Sequence, residues 1–176
     1  IYIRFRLSSD AQNDEGRVTL KKLGWDYRKG TWTTEVPHIL AWTTTPWTLT
    51  GNIALAVAPD ETYALAQSRS QQGTTERLIL AKALLDQALG TGNWQILEEF
   101  KGRDLDGLCY DRLYEPKADF VAPGENLAAH SRVVAADFVS VVDGTGVVHI
   151  APAFGEEDFN LGKSRGLPMV QSVDLD

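Results

Sequence analysis

Residues Ala41 to Asn52 read A-W-T-T-T-P-W-T-L-T-G-N, a concentration of hydroxyls around a proline that a plain scaffold turn does not need. Upstream, His38 to Trp42 is apolar and predicts a buried strand. Pro46 forbids strand pairing and suits the first turn of a helix, with Thr45 before it as the N-cap. A strand that breaks this way exposes the hydroxyls of Thr43, Thr44 and Thr45. Free backbone N–H groups at such a helix start can hold an oxyanion or a carbonyl oxygen. The same residues also describe a capped turn with packed β-branched side chains, and spacing alone does not separate the two.

A second stretch, Gly144 to Phe159, reads G-T-G-V-V-H-I-A-P-A-F-G-E-E-D-F. Its G-x-G precedes a strand and lacks the third glycine, which removes a dinucleotide-binding reading. The sequence contains no P-loop and no G-x-S-x-G elbow. Three histidines (His38, His130, His149) and one cysteine offer no zinc spacing. What remains is His149 at a strand end and Asp158 in the first turn of a helix. Taken as residues only, His149 is a hydrogen-bonded core histidine and Asp158 a carboxylate satisfied by the helix macrodipole. Glu156 and Glu157 are solvated neighbours.

The elements around these stretches are short. Ile1 to Leu7 alternates as a strand with Ile1, Ile3, Phe5 and Leu7 on one face, and Ser8 to Arg17 reads as a polar loop. Val18 to Val36 mixes charges with Trp25, Tyr27 and Trp32 and stays ambiguous. Strands are predicted at 53–58, 62–67, 77–81, 94–100, 120–122 and 133–142, with a polar hairpin loop at 68–76. Residues 81–89 predict a helix closed by Gly90, and 101–107 a turn-rich connection. Asp143 to Gly146 is a hairpin signal leading into a strand at 147–150, and Gly155 to Arg165 predicts a helix ended by Gly166. Many short strands with a few helices imply a β-rich α+β domain, a barrel with peripheral helices.

The 176 residues suit one domain, and 43% hydrophobic with 23% charged residues is ordinary for a globular chain. No apolar run approaches the roughly 18 residues of a membrane span. A single cysteine fits a reducing compartment. A net charge of −7 argues against gripping nucleic acid by charge alone. The chain starts with Ile1 and not Met, which reads as a fragment of something longer.

W-T-T-T-P-W-T-L with G-N following, then D-G-T-G-V-V-H-x-A-P-A-F-G-x-E-D, resembles the editing domain of isoleucyl-tRNA synthetase, the connective peptide 1 inserted in its catalytic fold. The resemblance runs across residues 1–176. Valyl and leucyl relatives usually place Arg where Thr45 stands, and Trp47 after Pro46 also favours the isoleucyl member. The resemblance implies an aminoacyl-tRNA ester hydrolase that removes valine from tRNA(Ile) after transfer, with pre-transfer editing left open. A synthetic site can reject a missing methylene by only about 1–3 kcal/mol, a general limit for which isoleucyl-tRNA synthetases are themselves the standard illustration.

The implied roles fall on named residues. Asp158 would hold the substrate's α-ammonium, a charge-assisted bond of roughly 1.5–3 kcal/mol. Thr43, Thr44 and Thr45 would supply hydroxyls to the ribose, the ester and the attacking water. Strand alternation puts Thr43 and Thr45 in the pocket and Thr44 elsewhere. Thr48 and Asn52 would line the side-chain pocket, and His149 would wall off isoleucine without acting as general base. Trp42 would pack the pocket or stack near the adenine, while Trp47 reads as core. The resemblance further implies no cofactor for editing, with ATP serving only the ligase part absent from this stretch. Its partners would be the tRNA acceptor end and the rest of the synthetase, with no membrane, in the cytoplasm. Two alternatives stand: a valyl or leucyl editing domain, or a non-catalytic β-barrel that positions tRNA.

Overall fold

The alternation that opens the chain becomes strand β1 (Tyr2–Ala11), with Phe5, Leu7 and Ala11 buried and Arg4 and Arg6 exposed. The computed structural model describes residues 1–69, 75–92, 94–116, 121 and 126–171. Contrary to the polar loop expected at 8–17, β1 continues to Ala11 and helix α1 (Asp14–Leu23) begins soon after. Asn13 caps it by accepting from Gly16 N at 2.7 Å, and Gly24 closes it at φ 108°, a conformation open to glycine. The helix is made by tertiary burial of Thr19, Leu20 and Leu23. The ambiguous stretch after it forms a small ribbon of β2 (Trp25–Asp26) and β3 (Thr31–Trp32). Trp25 makes edge contacts with Tyr27 and Trp32 at 6.3 and 5.4 Å.

The main sheet adds β4 (His38–Trp42), β5 (Ala54–Val57), β6 (Thr62–Arg69), β7 (Thr75–Ala81), β8 (Trp94–Lys101), β9 (Leu108–Tyr110), β10 (Arg132–Ala135) and β11 (Val147–Ile150). Its order is β11-β5-β10-β9-β1-β4-β7-β6-β8, with β5–β10 and β4–β7 parallel and the other pairs antiparallel. The β-rich α+β class with a few helices is therefore present. Closure is not: the order has two ends, and among the described residues no ladder joins β11 to β8. The sheet does curl, since Ala81 N at the end of β7 donates to Thr145 O at 2.8 Å, just before β11.

The hairpin read at 143–146 is also corrected. β10 and β11 lie on opposite sides of β5, so the segment between them crosses over rather than folding back. Local turn chemistry reports a reversal and not the strand that is met afterwards. The predicted helix at 81–89 is a 3₁₀ turn (Lys82–Leu84) followed by α2 (Leu85–Leu89), with Ala81 still in β7. A four-residue helix α3 (Gly102–Leu105) stands in the 101–107 connection, and the strand predicted at 133–142 stops at Ala135. Most of the predicted 68–76 loop and of the 120–122 strand lies outside the described residues. Helix α4 (Glu156–Arg165) ends as predicted at Gly166.

The main core gathers Phe5, Leu7, Leu20, Leu55, Tyr63 and Ile79. A second cluster, built on Ile53, Ile150, Leu167 and Val170, carries the end of β11 and α4. At about 1.5–3 kcal/mol per buried large apolar side chain, these clusters fix the strand ends on which the site stands.

Candidate functional site

β4 ends at Trp42, and the chain turns through Thr43 to Thr45 into a 3₁₀ turn (Pro46–Gly51) with Pro46 at its first position. Thr43 is buried while Thr44 and Thr45 are exposed. Thr43 Oγ1 accepts from Thr45 N at 3.0 Å and lies 3.2 Å from Thr45 Oγ1. These two hydroxyls meet and Thr44 does not join them. Thr45 occupies the N-cap position, but its side chain makes no capping bond.

Thr48 ties this turn to β11. Its hydroxyl donates to Thr45 O at 2.7 Å, and its oxygen lies 3.0 Å from His149 Nε2. A hydroxyl has one proton, and the Thr45 carbonyl can only accept. His149 must therefore donate from Nε2, which fixes the tautomer. Its Nδ1 is then a bare acceptor, buried and without a partner among the described residues. Burial lowers the His149 pKa from its ordinary 6.5. The ring is a neutral face that neither carries charge nor offers an open nitrogen to solvent.

Asp158 sits in the first turn of α4, half-buried, and points back along the chain. Its Oδ2 accepts from Ala151 N at 2.8 Å, two residues beyond His149. The other carboxylate oxygen has no protein partner among the described residues. Burial raises its pKa above the usual value, the Ala151 amide opposes this, and Glu157 adds a smaller push upward. Glu156 and Glu157 are exposed, as expected. The loop between β11 and α4 covers the 3₁₀ turn: a Cβ at Gly51 would lie 2.7 Å from Phe154 Cε2.

Other expected positions divide. Trp42 is half-buried over Gly144, whose φ of 71° and closeness to the indole exclude a side chain there. Asn52 is 4% exposed with its amide committed inside the fold: Nδ2 donates to Ala54 O at 3.0 Å, and Oδ1 accepts from Tyr110 OH at 2.6 Å. It steadies the passage from the turn into β5. Tyr110, which sequence reasoning missed, is the buried partner that orients it, and nothing in its local sequence signals this. Trp47 is 68% exposed, so the expectation of core packing fails. On a 3₁₀ turn Thr48 and Gly51 face inward while Trp47 and Thr50 face out. Among the described residues no three His, Cys, Asp or Glu side chains cluster as a metal set.

The fold of this chain is shared with solved synthetase editing domains. The crystal structure of GlLeuRS-CP1 matches with a TM-score of 0.67 at 17% identity, covering 93% of this chain and 59% of that one. The P. knowlesi cytosolic leucyl-tRNA synthetase editing domain matches with a TM-score of 0.60 at 13% identity, over 94% of this chain and 63% of that one. The fold is thus that of the aminoacyl-tRNA synthetase editing domains.

Sequence narrows the class further. The chain is 45% identical over 140 residues to the isoleucine–tRNA ligase of Clostridium tetani, covering 80% of this chain and 12% of that protein. It is 44% identical over 146 residues to that of Pyrococcus horikoshii, covering 80% and 13%. No protein-family model matches the chain. The chain belongs to the isoleucine–tRNA ligase family and spans about an eighth of the length of these relatives.

Proposed function

We propose that this domain is the hydrolytic proofreading site of an isoleucine–tRNA ligase and removes valine wrongly esterified to tRNA(Ile). The observation that carries the reading is the Asp158 carboxylate. One oxygen is anchored on the Ala151 amide and the other is uncommitted, beside a strand that presents a neutral histidine. A free carboxylate oxygen held at fixed height is what an α-ammonium needs. Ester hydrolysis then requires groups that orient water and the scissile carbonyl. Thr43 and Thr45, with hydroxyls 3.2 Å apart, supply them, and Thr45 adds the exposed side. Thr44, exposed and outside that pair, is assigned at most the ribose, and Trp42 the border of the amino-acid pocket.

His149 acts as a wall. With its proton on Nε2 and Nδ1 sealed from solvent, it cannot take a proton from water; that proton is instead relayed through the neighbouring ribose hydroxyl of the tRNA to the ribose oxygen that departs from the ester. Its neutrality spares the nearby ammonium a like charge. Thr48 holds the ring, and Asn52 holds the turn. The editing step is assigned no cofactor, and ATP-dependent ligation belongs to the rest of the synthetase in the cytoplasm. Asp158→Ala in the full-length enzyme is expected to abolish hydrolysis of valyl-tRNA(Ile) while isoleucine activation stays intact. Undiminished deacylation by that variant would remove Asp158 from the site.

A further inference from the structure

The stretch from Arg17 to Lys29 carries five cations and one carboxylate, a balance of +4 in a chain whose net charge is −7. The fold turns that run into a face. Arg17, Lys21 and Lys22 are exposed on the outer side of α1, whose inner side buries Gly16, Thr19, Leu20 and Leu23. Arg28 and Lys29 are exposed at the tip of the β2–β3 ribbon. Tyr27, 50% exposed, joins the two parts by donating from its hydroxyl to Arg17 O at 3.4 Å.

These cations are not spent inside the domain. Arg17, Lys21, Lys22 and Arg28 make no ion pair among the described residues. The acids on this side are Asp14 and Glu15 in the first turn of α1, Asp10 near Tyr27, and Asp26 in the ribbon. Asp26 Oδ1 is taken by the amides of Arg28 and Lys29, and its Oδ2 lies 3.9 Å from Lys29 Nζ. Arg17 and Lys21 stand one turn apart on the helix, a like-charge spacing that costs a few tenths of a kcal/mol in an isolated helix.

The platform is also held rigidly. Buried Arg77 donates from Nη1 to Leu23 O at 3.0 Å and to Glu35 O at 3.1 Å, and also to Thr34 Oγ1. One guanidinium thus fixes the end of α1 and the bend that leaves the ribbon. Arg77 precedes Leu78, which pairs with His38 at the start of β4, whereas the threonine turn follows Trp42 at its end. The strand between is about 13 Å long.

We propose that this face of α1 and the β2–β3 ribbon grips the phosphodiester backbone of the RNA whose esterified end enters the editing site. It rests on the reading above that the substrate is an RNA end. Exposed cations, four of the five without an ion pair among the described residues, beside an exposed aromatic ring are the groups that displace counterions from RNA and pack on its sugars or bases. Separation by a strand's length puts the contact on upstream phosphates and not on the terminal adenosine. An acidic domain can thereby meet RNA on one side only and leave the remainder repelled.

The test is a full-length enzyme carrying Arg17→Gln, Lys21→Gln, Arg28→Gln and Lys29→Gln. All four side chains are exposed, so folding is retained. For valyl-tRNA(Ile) deacylation, KM is expected to rise roughly tenfold with kcat unchanged. The salt dependence of tRNA binding should weaken by about one unit of slope for each phosphate no longer neutralised. Hydrolysis of a small valyl-adenosine ester should not change. Unaltered KM and salt slope would overturn the proposal, as would abolished ligation activity with normal RNA binding, which would make the face a contact with the rest of the synthetase. If the parent enzyme cleaves neither ester, the proofreading reading fails, while the salt slope of tRNA binding still decides this one.

Discussion

The threonine turn with β11 and the α1–ribbon face use polar groups in opposite ways. In the first, Thr43, Thr48 and His149 are more than nine-tenths buried: Thr43 and Thr48 both bond to Thr45, and Thr48 also bonds to His149. In the second, cations stand in solvent, and among the described residues only Lys29 has an ion partner, Asp26. The difference teaches what each can do. A buried network fixes the direction of a proton and the angle of a ring, and losing one member strands the others at about 1–3 kcal/mol each. An exposed face cannot set angles, but it adds affinity that salt removes. Substitutions in the first region should change which ester is cleaved, and in the second only how tightly RNA is held.

The largest break in that contrast comes from His149. If its ring is the wall, His149→Ala in the full-length enzyme opens room for the methyl that distinguishes isoleucine. Relief of a clash worth about 1–3 kcal/mol should raise deacylation of isoleucyl-tRNA(Ile) roughly 5- to 150-fold, with valyl-tRNA(Ile) cleavage largely kept. Parallel assays of both purified esters, with circular dichroism to check folding, decide it. Loss of both activities in a folded variant would make the histidine structural or catalytic.

A smaller effect is expected at Thr48, which acts through His149. Thr48→Val leaves the Nε2–H without its acceptor and frees the ring, so discrimination between the two esters should slacken by less than in His149→Ala. Thr48→Ser keeps the hydroxyl and should restore discrimination to within about twofold. Equal behaviour of the Val and Ser variants would show that the hydroxyl does not hold the ring.

The smallest is a dependence on pH. His149 binds a proton less readily when folded than its ordinary 6.5. Between the lowered value and 6.5 the unfolded chain therefore holds a proton that the folded chain lacks. The stabilisation is complete above pH 6.5 and is lost as pH falls through the folded value. His38 adds the same sign, lowered by burial and by Arg4 and Arg6. Hydrogen-exchange protection of β11 should fall on acidification below pH 6.5, and His149→Gln should flatten that fall.

These contrasts also mark what was legible in the sequence. Pro46 marked where the strand breaks, but strand alternation is not what brings the Thr43 and Thr45 hydroxyls together: β4 ends at Trp42, and the two meet within the turn. Helix α1 was hidden because S-S-D-A-Q-N-D-E-G favours turns, and the burial that makes it helical comes from partners distant in the chain. The crossover before β11 was misread because D-G-T-G specifies a turn and not the strand beyond it. Trp47 was misplaced because residue type cannot tell which side of a single 3₁₀ turn faces out. The partner of the Asn52 amide was not legible because Tyr110 is 58 positions away in the chain.

The central claim is that this domain hydrolyses a smaller, wrong amino acid from the tRNA while sparing the right one. The direct measurement is the deacylation rate of valyl-tRNA(Ile) and of isoleucyl-tRNA(Ile) by the full-length wild-type enzyme, side by side without ATP. Rapid loss of the valyl ester is expected, with little loss of the isoleucyl ester beyond the uncatalysed rate. Equal rates for the two, or no catalysis of either, would contradict it.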